Sequence, residues 1–249
     1  MLSSEYILIF CILLPIVAFL YSAVGHGGAS GYIALMGIFS FPPDEMKSIA
    51  LVLNVFVSAI ALFHFTRKGY FNRKLFLMLA VLSIPFAFLG GKIKLENESY
   101  KIILGAFLIF ATIKLLGIFD TKNKQDAELK KPNLYIALIL GSSIGFLSGL
   151  IGIGGGIILT PLLLFLNWST LKDAAGISAA FILVNSTAAL FGLSTQGIEL
   201  NAEIYLYIIL AVTGGILGGY FGSTKFKTPI LRYLLATVLI IACIKLIVS

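Results

Sequence analysis

A glycine cluster that occurs twice limits what this chain can fold into. Near the start the sequence reads Ser22-Ala23-Val24-Gly25-His26-Gly27-Gly28-Ala29-Ser30-Gly31, and past the middle Ser148-Gly149-Leu150-Ile151-Gly152-Ile153-Gly154-Gly155-Gly156. Gly25, Gly27 and Gly28 precede Gly152, Gly154 and Gly155 by 127 residues each. Both clusters lie inside apolar runs too long for one bilayer helix. Tyr6 to Pro43 contains no Asp, Glu, Lys or Arg, and neither does Pro132 to Leu171. As one helix the first run would measure about 57 Å, against a hydrocarbon core of about 30 Å. Each run therefore predicts two segments meeting at the glycines. Glycine lets a helix stop and expose its backbone, and hydrocarbon tolerates exposed backbone only around a protein-lined cavity. Paired interruptions in corresponding halves point to a transporter's binding site.

Composition agrees with a membrane setting. The 249 residues are 59% apolar and 12% charged, with a mean hydropathy of +1.04. Soluble domains carry about 25% charged residues. Spanning-length apolar stretches recur throughout, so the expected fold is all-α and polytopic, with no room for a sizeable soluble domain. The opening Met1-Leu2-Ser3-Ser4-Glu5 lacks a basic stretch, so Tyr6 to Leu20 is expected as a retained span rather than a cleaved signal. Cys11 and Cys243 each stand alone in apolar runs and read as inert thiols, with no metal site or disulfide. The net charge of +7 fits lysines in cytoplasmic loops and does not suggest nucleic acid.

The two halves match beyond the glycines. Ser58-Ala-Ile-Ala-Leu-Phe63 is similar to Ser186-Thr-Ala-Ala-Leu-Phe191, Leu89-Gly-Gly-Lys92 to Leu217-Gly-Gly-Tyr220, and Ile113-Lys-Leu-Leu116 to Ile244-Lys-Leu-Ile247. This divides the chain into a membrane repeat over 1–118, a polar cytoplasmic linker over 119–133 and a second membrane repeat over 134–249. Short helices are expected over 28–41 and 155–168, and full spans over 47–66, 74–91, 101–118, 172–193, 203–222 and 229–247. If each broken pair crosses twice, one side collects Arg67, Lys68, Arg73, Lys74, Lys122, Lys124, Lys130, Lys131, Lys172, Lys225 and Lys227. The other side holds Lys47, Lys92, Lys94 and Lys101. That asymmetry favours five segments per repeat over four. Five is odd, so the repeats are expected to be inverted, with both termini outside.

A helix that begins inside the membrane presents unpaired N–H groups and a partial positive charge, which suits an anion. The candidate binding residues are Gly25, His26, Gly27, Gly28 and Ser30 in the first cluster, and Gly152, Gly154, Gly155, Gly156 and Thr160 in the second. Asn54 and Ser58, four apart on one helix face, join them, with Asn185 and Ser186 at the matching level of repeat two. The plainer alternative for the glycines is close helix packing. For the amides it is an interhelical hydrogen bond. His26 has Ile153 as its counterpart. It could donate to a substrate oxygen, titrate with pH, or simply pack. His64 and Lys114 lie near helix ends and read as boundary residues. No Asp or Glu falls deep in a span, and no catalytic triad, metal-ligand set or nucleotide-binding loop is present. The chain is therefore not expected to be an enzyme or to need a cofactor.

At these residues the chain resembles a known family. Gly25-His-Gly-Gly28 and Gly152-Ile-Gly-Gly-Gly156, each followed by a short apolar helix, are similar to the paired signatures of the TauE/SafE sulfite exporter family, also called the toluene-sulfonate uptake permease family. The resemblance covers essentially the whole chain. It implies a bacterial or archaeal inner-membrane carrier for sulfite, a sulfonate or a related sulfur-containing anion. That family is described with seven or eight spans, against the ten expected here. An anion channel, or a permease for another small anion, is the alternative. A homo-oligomer and a coupling proton are both compatible with the chain.

Overall fold

A computed structural model describes residues 4–115, 129–197 and 201–224. These residues form α-helices and connecting turns, with no strand among them. The order is α1 Ser4–Ala23, α2 Ala29–Ile38, α3 Pro43–Arg67, α4 Arg73–Gly91, α5 Asn97–Leu115, α6 Leu134–Ile151, α7 Gly156–Phe165, α8 Leu171–Ser194 and α9 Ile204–Thr224. The expected span 229–247, Cys243 and most of the linker lie outside the described residues.

Both overlong apolar runs break where the glycines predict. They give the pairs α1–α2 and α6–α7, and the second member of each pair has 10 residues. Ten residues rise about 15 Å, half of a bilayer core. The full-length helices start at sharp local signals. Pro42 caps α3 and Pro43 opens it, followed by Asp44 and Glu45 at the positive end of the helix dipole. Asn72 accepts from the Leu75 N–H at the start of α4, and Asn133 accepts from Tyr135 and Ile136 at the start of α6. At α8 the Thr170 side chain accepts from the Asp173 N–H and donates to the Asp173 carboxylate.

Among the described residues, α3, α4, α6, α8 and α9 are each long and apolar enough to cross a membrane. Their outer faces expose Leu77, Val81, Ile139, Phe191 and Ile209, an apolar belt that water would penalise and lipid does not. The chain is a polytopic helical membrane protein.

Close packing follows a pattern shared by the halves. On α6, Gly141, Gly145 and Gly149 sit against the backbone of Leu79, Ser83 and Ala87 on α4. On α9, Gly214, Gly218 and Gly222 sit against Pro15, Phe19 and Ala23 on α1. Numbers rise together in both sets, so each pair runs parallel, and the missing side chains let backbones meet. At the centre α3 and α8 run antiparallel: Asn54 meets Ser186, while Phe65 lies beside Gly176.

Candidate functional site

The first break is closed on the α1 side by its own backbone. The Gly25 N–H donates to Ser22 O at 3.0 Å and the His26 N–H to Tyr21 O at 2.9 Å. Helix α2 then starts from Gly28, whose φ of 102° is a left-handed conformation that L side chains rarely adopt. Its first N–H, from Ala29, donates to Asn54 Oδ1 at 2.9 Å. The amide's other end donates from Nδ2 to Ser186 Oγ at 3.2 Å. Asn54 is fully buried on α3, and Ser186 is fully buried on α8. One side chain therefore caps the short helix of the first half and ties it to the second.

The second break is built alike. Gly155, with φ of 78°, precedes α7, and its carbonyl accepts from Ile158 and Leu159. A Cβ on Gly154 would fall 2.5 Å from Asn54 Nδ2 and 2.8 Å from Ile182 Cγ2. A Cβ on its counterpart Gly27 would meet the same two residues, Asn54 and Ile182. Both breaks thus converge on one pair of side chains from α3 and α8.

The halves are also joined through His26. Its Nε2 lies 3.2 Å from Gly156 O and 3.1 Å from Thr160 Oγ1. A carbonyl can only accept, so Nε2 carries a hydrogen. Thr160 Oγ1 continues to Ser178 Oγ at 2.7 Å. The chain His26–Thr160–Ser178 is buried throughout.

Most of the residues singled out from the sequence meet here: His26, Gly27, Gly28, Asn54, Gly154, Gly155, Gly156, Thr160 and Ser186. Others turn elsewhere. Ser30 donates to the Tyr21 hydroxyl at 3.0 Å, and Ser58 donates to Val55 O in its own helix. Asn185 donates to Phe181 O one turn back. Gly25 packs on Ala175 and Gly152 on Lys47.

Four residues were not foreseen. Ile182 lies 128 residues after Asn54, so the repeat offset alone could have found it. Ser178 completes the histidine chain. Tyr32 and Ser148 present buried hydroxyls with no hydrogen-bond partner, as does the Asn185 amide oxygen. The Tyr32 hydroxyl lies 2.5 Å from where a Gly28 Cβ would stand, and Ser148 flanks Gly155. These orphaned polar atoms border both breaks, where partners would otherwise be expected. Among the described residues no cluster of three His, Cys, Asp or Glu side chains could hold a metal.

Comparison with known proteins covers nearly the whole chain. The family model for the sulfite exporter TauE/SafE matches residues 9–246. A probable membrane transporter protein, y4hK, of Sinorhizobium fredii is 37% identical, over 93% of this chain and 94% of the relative. The probable membrane transporter protein MJ0441 of Methanocaldococcus jannaschii is 30% identical, over 84% and 79%. The similarly named YjnA of Bacillus subtilis is 25% identical, over 92% and 94%. No solved structure matches the chain.

Proposed function

The chain belongs to the sulfite exporter TauE/SafE family of membrane transporters, and we propose that it is a secondary transporter for a small sulfur-containing anion. The cargo class is sulfite, a sulfonate or a related oxyanion, moved across a bacterial or archaeal inner membrane. The anion is held near the midplane between the N-termini of α2 and α7. The observation that carries this is the shared lining of the two breaks: Gly27 and Gly154 both abut Asn54 and Ile182. Two helix N-termini at one place add their partial positive charges, and small residues let an anion approach backbone N–H groups. Lys47 packs on Gly152 but spends its ammonium on Gly91 O and Ile93 O, so in this reading the anion at the midplane is held by N–H groups, hydroxyls and His26 rather than by an ion pair. A helix terminus contributes only about 0.3–2 kcal/mol. Two of them with a few hydrogen bonds support millimolar to micromolar affinity, about 4–8 kcal/mol, weak enough for release.

The domain division 1–118, 119–133 and 134–249 belongs to the same proposal, with the repeats inverted and both termini outside. The antiparallel crossing of the equivalent helices α3 and α8 supports it, as does the parallel pairing of α1 with α9 and α4 with α6. Labelling of cysteines substituted at Lys68 and Lys225 from opposite sides of the membrane would contradict it. The function itself is tested by flux into proteoliposomes with sulfite, thiosulfate, sulfate, taurine and sulfoacetate. Saturable movement of at least one is expected. Movement of none, by protein that inserts normally, overturns the assignment.

A further inference from the structure

A second constellation lies away from the midplane, where the starts of α3 and α5 meet the ends of α4, α6 and α8. It surrounds a cavity of about 300 Å³ lined by Lys47, Ser48, Tyr100, Gln196 and Asn201. Lys47 is only 6% exposed. Its ammonium donates to Gly91 O at 3.3 Å and Ile93 O at 3.2 Å, leaving one of its three N–H donors beyond these two bonds. Its neighbour on the same helix, Asp44, forms its ion pair with Lys94 instead, at 2.9 Å. Asp44, Glu45 and Lys94 also line the cavity. The Asp44–Lys94 pair neutralises itself, Glu45 is half-exposed, and Lys47 is the buried charge.

A buried lysine on carbonyl oxygens, near the positive end of its own helix, is expensive. The equivalent position of the other half does without it. The repeat offset that relates Asn54 to Ile182 relates Lys47 to Ala175. Those two residues occupy matching contacts. A Cβ on Gly25 would stand 2.5 Å from Ala175 Cβ, and a Cβ on Gly152 would stand 3.0 Å from Lys47 Cγ. One half therefore closes its break with a methyl group, and the other with a lysine. The cavity also reaches the second break directly. Leu150 lines it, and the Tyr100 hydroxyl donates to Ile151 O at 3.0 Å, one residue before Gly152.

We propose that this cavity is an anion-binding vestibule in which Lys47 receives a small sulfonate or oxyanion on one face of the protein before it reaches the Gly152 break. The vestibule deepens the carrier reading and rests on it for its role in transport. Its own binding chemistry is tested separately. Replace Cys11 and Cys243 by Ser and introduce Gln196→Cys in the cavity wall. Then compare modification by a 2-sulfonatoethyl methanethiosulfonate with modification by a neutral methanethiosulfonate of similar size. With Lys47 present the anionic reagent should be favoured. Lys47→Gln should lower the anionic-to-neutral rate ratio about tenfold, the scale of one partly buried unit charge, while Lys47→Arg should preserve it. An unchanged ratio in Lys47→Gln overturns the proposal and leaves Lys47 as a cap on the end of α4. Should Lys47→Gln not fold, the Lys47 protein decides the matter. Ethanesulfonate should slow labelling at position 196 and tetramethylammonium should not, and equal effects overturn the vestibule. Failure of the wild-type protein to move any sulfur anion would remove the carrier reading without altering these labelling results.

Discussion

Asn54 is the side chain whose loss should be felt most widely. It accepts from the first N–H of α2 and donates to Ser186 across the α3–α8 crossing. In Asn54→Ala the Ala29 N–H stays buried without its acceptor, at about 1–3 kcal/mol. The lost link to Ser186 adds about 0.6–1.7 kcal/mol, the range for interhelical hydrogen bonds in membranes. A total of about 1.6–4.7 kcal/mol follows, equivalent to about one to three and a half decades in the population of the intact break. Asn54→Asp separates stability from binding. Its carboxyl still accepts from Ala29, and Ser186 can turn to donate. Unlike the amide, a carboxyl at this position can carry a negative charge. Charged, it would repel an anion at about 4 Å by roughly 4 kcal/mol at an effective dielectric of 20. Transport by Asn54→Asp should therefore fall below wild type as pH rises and the carboxyl ionises, and recover as pH falls. Thermal unfolding in detergent and proteoliposome flux measure the two effects. Wild-type stability in Asn54→Ala, or a flux–pH profile of Asn54→Asp that matches wild type at every pH, would refute the role given to this amide.

Gly28→Val and Gly155→Val should abolish flux while the protein still inserts, because both positions have positive φ and a Cβ would fall 2.5 Å from Tyr32 and 2.7 Å from Ile144; full activity in either would show that the glycines serve packing alone. Tyr32→Phe removes a buried hydroxyl that has no partner, so thermal stability should be unchanged or higher, while the apparent KM for the anion should rise several-fold; an unchanged KM would exclude the hydroxyl from binding. His26→Gln should keep a donor for the Gly156 carbonyl and flatten the activity profile between about pH 5 and 8, and an unaltered profile would remove His26 from any proton-linked step.

Much of the architecture is determined by the sequence alone. A charge-free run of Tyr6 to Pro43 cannot fit one crossing, and glycines are the cheapest place to break it. Hence α2 and α7 lie inside the expected 28–41 and 155–168, and α3 and α8 agree with their expected spans to within a few residues. Length and hydropathy report transfer of a segment into lipid, which depends on local sequence. Which side chains then meet was decided by tertiary structure. Asn54 and Ser58 share a helix face, yet Asn54 bonds Ser186, 132 residues away, while Ser58 bonds its own helix. His26 finds Thr160, 134 residues away, through a register set by the crossing of α3 and α8. Lys47 reads in sequence as one more charge at the boundary of a span, the first residue of 47–66, and only the packing around the start of α3, with Gly91 O and Ile93 O as partners, buries it. Inside lipid one apolar neighbour serves as well as another, so hydrophobicity sets no register. Backbone contacts at small residues and a few polar pairs do, and those act between segments far apart in the chain.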